Sequence, residues 1–261
     1  DLALAAAHGF AHAHDRALQM LLVKMIGQGR LTELLDDGPA SLEIDLFMRR
    51  NGFAAASAVE AAALSGRAKA LAEAYAAGVN ARLERGSPWE LRLLGVPAEP
   101  WTPADTLLTL RLMTFVGLAQ AQGDAEIVLL QALRASVDRG KLARLFRPHL
   151  DGLDDRLLEA IRGVGHVPAL VPAMPPLPVL RASNNVAVAG RLSASGAALY
   201  ASDPHLEVNR LPAIWYEVVG ELPDGDFRIG VTVPGVPGLV MGGRARSPRA
   251  SPTASPTRST S

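Results

Sequence analysis

A serine followed by two asparagines, Ser183-Asn184-Asn185, stands directly after a proline-rich run that closes with Leu180-Arg181-Ala182. A serine hydroxyl is a weak nucleophile and needs a base within hydrogen-bond reach. A histidine elsewhere in the chain could be that base. So could the serine's own α-amino group, with a pKa of about 7.7–8.0, but only if the Ala182–Ser183 bond is cut. A serine that ends a linker and opens a strand suits such a cut, because the linker can be strained and excised while the strand keeps the new terminus in a sheet. The plain alternative is a surface serine at a linker–strand junction. For His205, in Asp203-Pro204-His205-Leu206, it is a structural histidine in an Asp-Pro turn.

Other reactive side chains form weaker patterns. His8 and His12 are spaced i, i+4 on one helix face, with His14 and Asp15 close by, as a metal-binding pair would need. No HExxH signature accompanies them. Asp36-Asp37 and Asp154-Asp155 read as turn and cap residues. Gly27-Gln28-Gly29 lacks the further glycine and the preceding strand of a phosphate loop. Trp89, Trp101, Tyr75 and Phe115 read as core or connector anchors.

The elements that must carry these residues divide the chain in two. Leu18, Leu21, Leu22 and Met25 mark a helix over 2–26. A short helix is expected over 30–35, and Ser41 is a suitable N-cap for the next. Residues 54–84 read as one long Ala-rich helix whose helix formers outweigh Gly66 and Gly78 at about 1 kcal/mol each. Residues 88–103 form a connector marked by four prolines and two tryptophans. Thr102-Pro103-Ala104-Asp105 then opens a helix to about Gln122, with further helices over 126–137 and 154–162; 138–150 is ambiguous. Five prolines in 168–178 require an extended linker. Beyond it the period changes to short strands around Val186 and Val188, 198–201, 214–219, 227–233 and 239–241, with turns at 220–226 and 235–238.

Composition bounds the class. Hydrophobic residues make up 49% and charged residues 20% of 261, as in a globular chain with a sizeable core. The formal net charge is +0 and arginines gather only at the extreme C-terminus, so no nucleic-acid footprint is present. No cysteine is present, which excludes disulfides and thiolate chemistry. No run reaches the roughly 18 apolar residues of a membrane span. Residues 244–261 are built of Arg, Ala, Ser, Pro and Thr and cannot bury a core, so they read as disordered or as a frame-shifted end.

Several spaced motifs, in order, resemble the penicillin amidase family of penicillin, cephalosporin and N-acyl-homoserine lactone acylases. They are Gly9-Phe10-Ala11-His12-Ala13-His14-Asp15-Arg16 with Gln19-Met20, then Gly29-Arg30-Leu31 and Glu33, and Ala74-Tyr75-Ala76-Ala77-Gly78-Val79-Asn80-Ala81. Leu93-Leu94-Gly95, Glu99-Pro100-Trp101-Thr102-Pro103, the serine motif, Gly190, Asp203-Pro204-His205-Leu206, Pro212 and Trp215-Tyr216-Glu217-Val218 complete the series. The resemblance implies an α+β fold, a fragment of the N-terminal-nucleophile αββα sandwich. Residues 1–167 would be the helical small chain, 168–182 the spacer, 183–243 the start of the catalytic chain, and 244–261 the tail.

By resemblance, Ser183 is nucleophile and, after autoproteolysis between Ala182 and Ser183, its own base. His205 orients the amine, Asn184 and Asn185 support it, and Leu206 lines the acyl pocket. Val186 departs from the aromatic residue frequent in penicillin acylases, toward the small aliphatics of lactone acylases. The implied substrate is a small acyl amide, a β-lactam side chain or an acyl-homoserine lactone. The implied partners are the two chains of one cleaved precursor, located in the periplasm or secreted, with calcium possible. The family's backbone oxyanion donor would fall near Ser251 and its asparagine donor beyond Ser261, so the chain is expected to be incomplete at both ends. Two other readings stand beside this one: a truncated, inactive family member, and a helical interaction module in 1–165.

Overall fold

The computed structural model describes residues 2–116, 120–135, 138–150, 154–163, 183–204, 213–221 and 226–246. Its order is helices first, strands after. Among the described residues ten α-helices lead: α1 (Leu2–Gln28), α2 (Leu31–Leu34), α3 (Pro39–Asn51), α4 (Phe53–Ala63), α5 (Gly66–Leu83), α6 (Trp89–Leu94), α7 (Pro103–Thr114), α8 (Gln120–Arg134), α9 (Arg139–Leu150) and α10 (Asp155–Arg162). Five strands follow: β1 (Ser183–Val188), β2 (Leu199–Pro204), β3 (Tyr216–Glu221), β4 (Asp226–Thr232) and β5 (Met241–Arg246). Mostly helical with a few antiparallel strands, the chain is of the α+β class.

α1 is the element on which the rest is assembled. One side packs on α5, and the crossing is close because each helix offers a glycine. A Cβ on Gly9 would stand 2.1 Å from Tyr75 O, and one on Gly78 would stand 1.9 Å from Ala6 O. Real Cβ atoms never come so near, so the glycines set the distance between the helices. Around this crossing Met20, Leu21, Met25, Tyr75, Val79, Leu91 and Trp101 form the main core. A smaller cluster of Met48, Leu108 and Leu112 joins α3 to α7, and Leu129, Leu133, Leu142 and Leu158 join α8, α9 and α10.

Polar groups fix the junctions. Thr102 and Asp105 form a reciprocal capping box at the start of α7, with Pro103 in the first turn. Asp105 is buried, and it also accepts from Lys24 Nζ at 3.2 Å and from Gln28 Nε2 at 3.3 Å. Asn80 clamps the Trp101 backbone on both sides, accepting from its N–H at 2.7 Å and donating to its carbonyl at 2.9 Å. Asp45, on α3, accepts from the Leu31 and Thr32 N–H groups and the Thr32 hydroxyl, and so caps α2 from outside that helix.

Several elements differ from the sequence expectation. Residues 54–84 form two helices, because Leu64 and Ser65 turn extended and Gly66 takes φ +52°. The proline-marked connector holds a short helix, α6. Gly38 rather than Ser41 precedes α3, with Pro39 in its first turn, and the Ser41 hydroxyl donates to Asp36 Oδ2 at 2.6 Å. The helix from Pro103 passes after Thr114 into a π turn at Phe115 and Val116, the ambiguous 138–150 stretch is helical with a kink at Phe146, and β5 continues pairing to Arg246. The 168–182 linker lies outside the described residues.

The strands make two antiparallel sheets, β1–β2 and β3–β4–β5. Alternation assigns Tyr216, Val218 and Gly220 to one face of β3, and that face meets α1: a Cβ on Gly220 would touch Leu4 at 3.1 Å. The opposite face is open, with Val219 at 69% and Ile229 at 53% exposure. No helix among the described residues is long and apolar enough to cross a membrane.

Candidate functional site

Ser183 is the first residue of β1, and the antiparallel register of β1 with β2 pairs it with Pro204, and Asn184 with Asp203. Ser183-Asn184 and Asp203-Pro204, from two separate motifs of the sequence, are therefore brought side by side as strand partners. Asn185 Oδ1 accepts from the Tyr200 hydroxyl at 3.0 Å, which ties the second asparagine across the hairpin. Residues 183–187 are exposed. The hairpin meets the second sheet through Ser202, whose hydroxyl contacts Met241 Sδ at 3.3 Å. Ala182, His205 and Leu206 lie outside the described residues.

A second polar constellation lies where α1 meets β3 and β4. His12 is fully buried; its Nδ1 is 2.8 Å from the Tyr75 hydroxyl and its Nε2 is 2.7 Å from Thr232 Oγ1. Thr232 donates its one proton to Tyr216 O at 3.2 Å, and the Gly235 N–H donates to the Tyr75 oxygen at 2.9 Å. The proton inventory assigns the rest. Thr232 Oγ1 must accept from His12 Nε2–H, and the Tyr75 hydroxyl donates to His12 Nδ1. His12 is the neutral Nε2–H tautomer, and every group in the chain is used.

Electrostatics agree with that tautomer. Burial, with His8 and Arg16 nearby, depresses the His12 pKa to about 4, although Asp15 opposes the shift. Burial also raises Tyr75 well above its ordinary value. Tyr216 stacks edge-on against His12 with ring centroids 4.8 Å apart and donates to Asp15 Oδ2 at 2.5 Å. Burial first, and then that bond to a carboxylate, push Tyr216 up to about 12. The Arg16 guanidinium, at a kink in α1, donates to Ala213 O at 3.1 Å. From Asp15 to Gly235, the residues that join helices to strands are polar and mutually satisfied.

The i, i+4 histidine pair is accounted for by this network. Both His12 nitrogens are engaged, and the His8 ring stacks on that of His12 at 6.1 Å. Among the described residues no group of three or more His, Asp or Glu side chains is placed to hold a metal ion, so the calcium allowed by resemblance finds no ligand set here. Asp154 caps α10 by accepting from the Leu157 N–H at 2.7 Å. Trp101 and Tyr75 are buried anchors, Phe115 lies between Phe47 and Phe53, and Trp89 is exposed instead.

The family model for penicillin amidase matches residues 1–246, across both the helical part and the strands. The chain belongs to the penicillin amidase family. Its relatives include an acyl-homoserine lactone acylase QuiP of Pseudomonas aeruginosa, 37% identical over 90% of this chain and 29% of that protein. Penicillin acylase 2 proenzyme of Pseudomonas sp. (strain SE83) is 35% identical over 88% of this chain and 31% of its own length. An acyl-homoserine lactone acylase QuiP of Pseudomonas fluorescens (strain Pf0-1) is 33% identical over 90% of this chain and 30% of its own. The chain thus spans less than a third of these penicillin amidase relatives.

In the sequence His12, Asp15, Tyr75 and Tyr216 belong to family motifs that assign them no shared role, and Thr232 and Gly235 fall in a strand and a turn. Within the penicillin amidase chain these six residues, drawn from four places in the sequence, form the polar seam between the helices and the strands.

Proposed function

We propose that this chain is part of an acylase of the N-terminal-serine class, which hydrolyses the linear amide of an N-acyl compound. The observation that carries the reading is the register that sets Ser183-Asn184 against Asp203-Pro204 within a family match covering both sides of Ser183. Several of the relatives are named acyl-homoserine lactone acylases, and Val186 is small and aliphatic, so an acyl-homoserine lactone is the preferred substrate class, ahead of a β-lactam side-chain amide.

Maturation would start with attack of Ser183 Oγ on the Ala182 carbonyl carbon. The C–N bond breaks, the acyl group passes to oxygen, and the nitrogen takes up the hydroxyl proton. Water then hydrolyses the ester, leaving a carboxylate on Ala182 and a free α-amine and hydroxyl on Ser183. That amine, with a pKa of about 7.7–8.0, takes the Oγ proton as the oxygen attacks a substrate amide. It returns the proton to the leaving nitrogen, and water releases the acyl group as a carboxylic acid. His205 would orient the amine, Asn184 and Asn185 would support the motif, and Leu206 would contact an apolar acyl chain. The small and large chains of one precursor would remain partners across the His12 seam.

A second reading, that the 261-residue chain has no hydrolytic activity of its own, is favoured by the exposure of residues 183–187 on a two-stranded hairpin. A nucleophile in that setting lacks the buried, preorganised donors that stabilise an oxyanion, and loss of one such donor costs about 10²–10³ in rate. Intact-mass and N-terminal analysis of the purified chain, with product chromatography on an N-acyl-homoserine lactone, distinguishes the readings. A new Ser183 terminus and release of the acyl acid support the acylase. An uncut chain of 27.5 kDa with no product supports the second reading.

A further inference from the structure

Beside α1, on the side of Arg82 and α6, a cleft of about 300 Å³ is lined by three guanidinium groups, those of Arg82, Arg85 and Arg92. His14 and Trp89 complete the donor side, and Asp15 and Glu90 are the carboxylates in the lining. Four arginines elsewhere pair with carboxylates: Arg30 with Glu33 and Glu99, Arg111 with Glu60, Arg139 with Asp155 and Arg162 with Glu159. Among the described residues none of the three cleft arginines meets a carboxylate. Asp15 already accepts the Tyr216 phenol proton.

Two of the three arginines, Arg82 and Arg85, are held in place by neighbours. Arg82 Nε donates to His14 Nδ1 at 3.1 Å and its Nη1 donates to Gly86 O at 3.2 Å. Arg85 is stacked on Phe10, its guanidinium carbon 4.7 Å from the ring centroid. Because His14 Nδ1 accepts from Arg82, the neutral ring carries its proton on Nε2 and offers one more donor. Trp89, 64% exposed, brings an indole face and N–H to the same cleft. Three guanidinium groups against the two carboxylates Asp15 and Glu90 leave the cleft with an excess of positive charge, and guanidinium groups match the tetrahedral oxygens of a phosphate group.

We propose that this cleft binds a phosphate group, free or carried on a lipid headgroup, separately from the chemistry at Ser183. The test uses the 261-residue chain. Sodium phosphate is titrated against a sodium chloride background at constant ionic strength, with tryptophan fluorescence as readout and Trp89→Phe identifying the responding indole. In a parallel arm, phosphatidylcholine vesicles with and without phosphatidylglycerol replace phosphate.

The expected result is a saturable Trp89 response. Arg92→Gln, at an exposed side chain with no hydrogen-bond or ion-pair partner among the described residues, weakens it by about tenfold. Arg85→Gln with Arg92→Gln removes it while the circular dichroism spectrum is unchanged. A response to free phosphate assigns a soluble ligand; a response only to the phosphatidylglycerol vesicles assigns a headgroup. If neither probe moves the Trp89 signal, or the double variant binds as tightly as the parent, the proposal is overturned.

Discussion

His12 Nε2 lies 2.7 Å from Thr232 Oγ1, across 220 residues of chain, with His12 on the first helix and Thr232 at the end of the fourth strand. His12 Nε2–H donates in that bond, while on the other side of the ring Nδ1 must stay unprotonated to accept the Tyr75 hydroxyl proton. A protonated His12 would leave the Tyr75 hydroxyl proton without a partner in a buried site.

Acidification should therefore weaken the fold through His12. The unfolded side chain takes up its proton near pH 6.5, the folded one only near 4, so the stabilisation is full above about pH 6.5 and falls away between there and pH 4. At about 1.36 kcal/mol per pH unit, the whole effect is on the order of 3 kcal/mol. Urea midpoints measured from pH 4 to 8 should rise with pH over that window. His12→Gln should flatten the profile, apart from the part due to His8, whose pKa burial also lowers. An unchanged profile in that variant would show that His12 does not titrate as described.

Tyr75→Phe removes one hydroxyl and strands two partners, the Gly235 N–H and His12 Nδ1. Leaving a buried polar group unpaired costs about 1–3 kcal/mol. Chemical denaturation should show a loss in that range or above it. Amide exchange at Gly235 should accelerate by at least an order of magnitude if the hydroxyl is what protects it.

Gly78→Ala places a methyl group where a backbone carbonyl of α1 already stands. Helix propensity alone would make the change favourable by about 1 kcal/mol. Overpacking against backbone instead predicts a net destabilisation of about 3 kcal/mol, read as a lowered thermal midpoint. A gain in stability would mean the two helices can separate freely.

Asp105→Ala loses the carboxylate half of the α7 capping box and leaves Lys24 buried without its nearest carboxylate; Glu99 is 3.9 Å away. Breaking a buried pair from one side costs about 3–5 kcal/mol. Thr102→Ala, which removes only part of the cap, should cost about 1 kcal/mol. Comparable losses from the two variants would rule out the Lys24 contribution.

Ser183→Ala should leave stability within about 0.5 kcal/mol, since the side chain is exposed and its loss creates no cavity. In a chain that matures, the same variant should abolish the new terminus, whereas Ser183→Cys retains a nucleophile and should still be cut. Mass spectrometry of both variants decides this, and cleavage of the alanine variant would exclude Ser183 as the attacking group.

The helical reading of 1–165 as a free-standing module meets a physical difficulty in the same seam. Without Thr232 and Gly235, the His12 and Tyr75 polar atoms lose partners supplied by the strands.

Local chemistry made much of the molecule legible in advance. The period of apolar residues marks α1, the Thr102-Pro103-Ala104-Asp105 signature announces a capping box, and the change of period after the prolines marks the strands. Each depends on neighbours within a few residues. Ser183 was legible for the same reason, as a composition break and a motif. What only tertiary structure decided is how distant groups answer one another. Gly78 reads as a weak point in a helix until Ala6 O is found against it, and Gly66 reads the same way until its left-handed φ is found at the first residue of α5, after the break at Leu64 and Ser65. Trp89 looks like an anchor until it proves exposed in a cleft that it shares with three arginines. His12 looks like half of a metal pair until Tyr75 and Thr232 take both its nitrogens. Sequence spacing reports which side chains share a face of one element; which face meets which is set by packing of the whole chain.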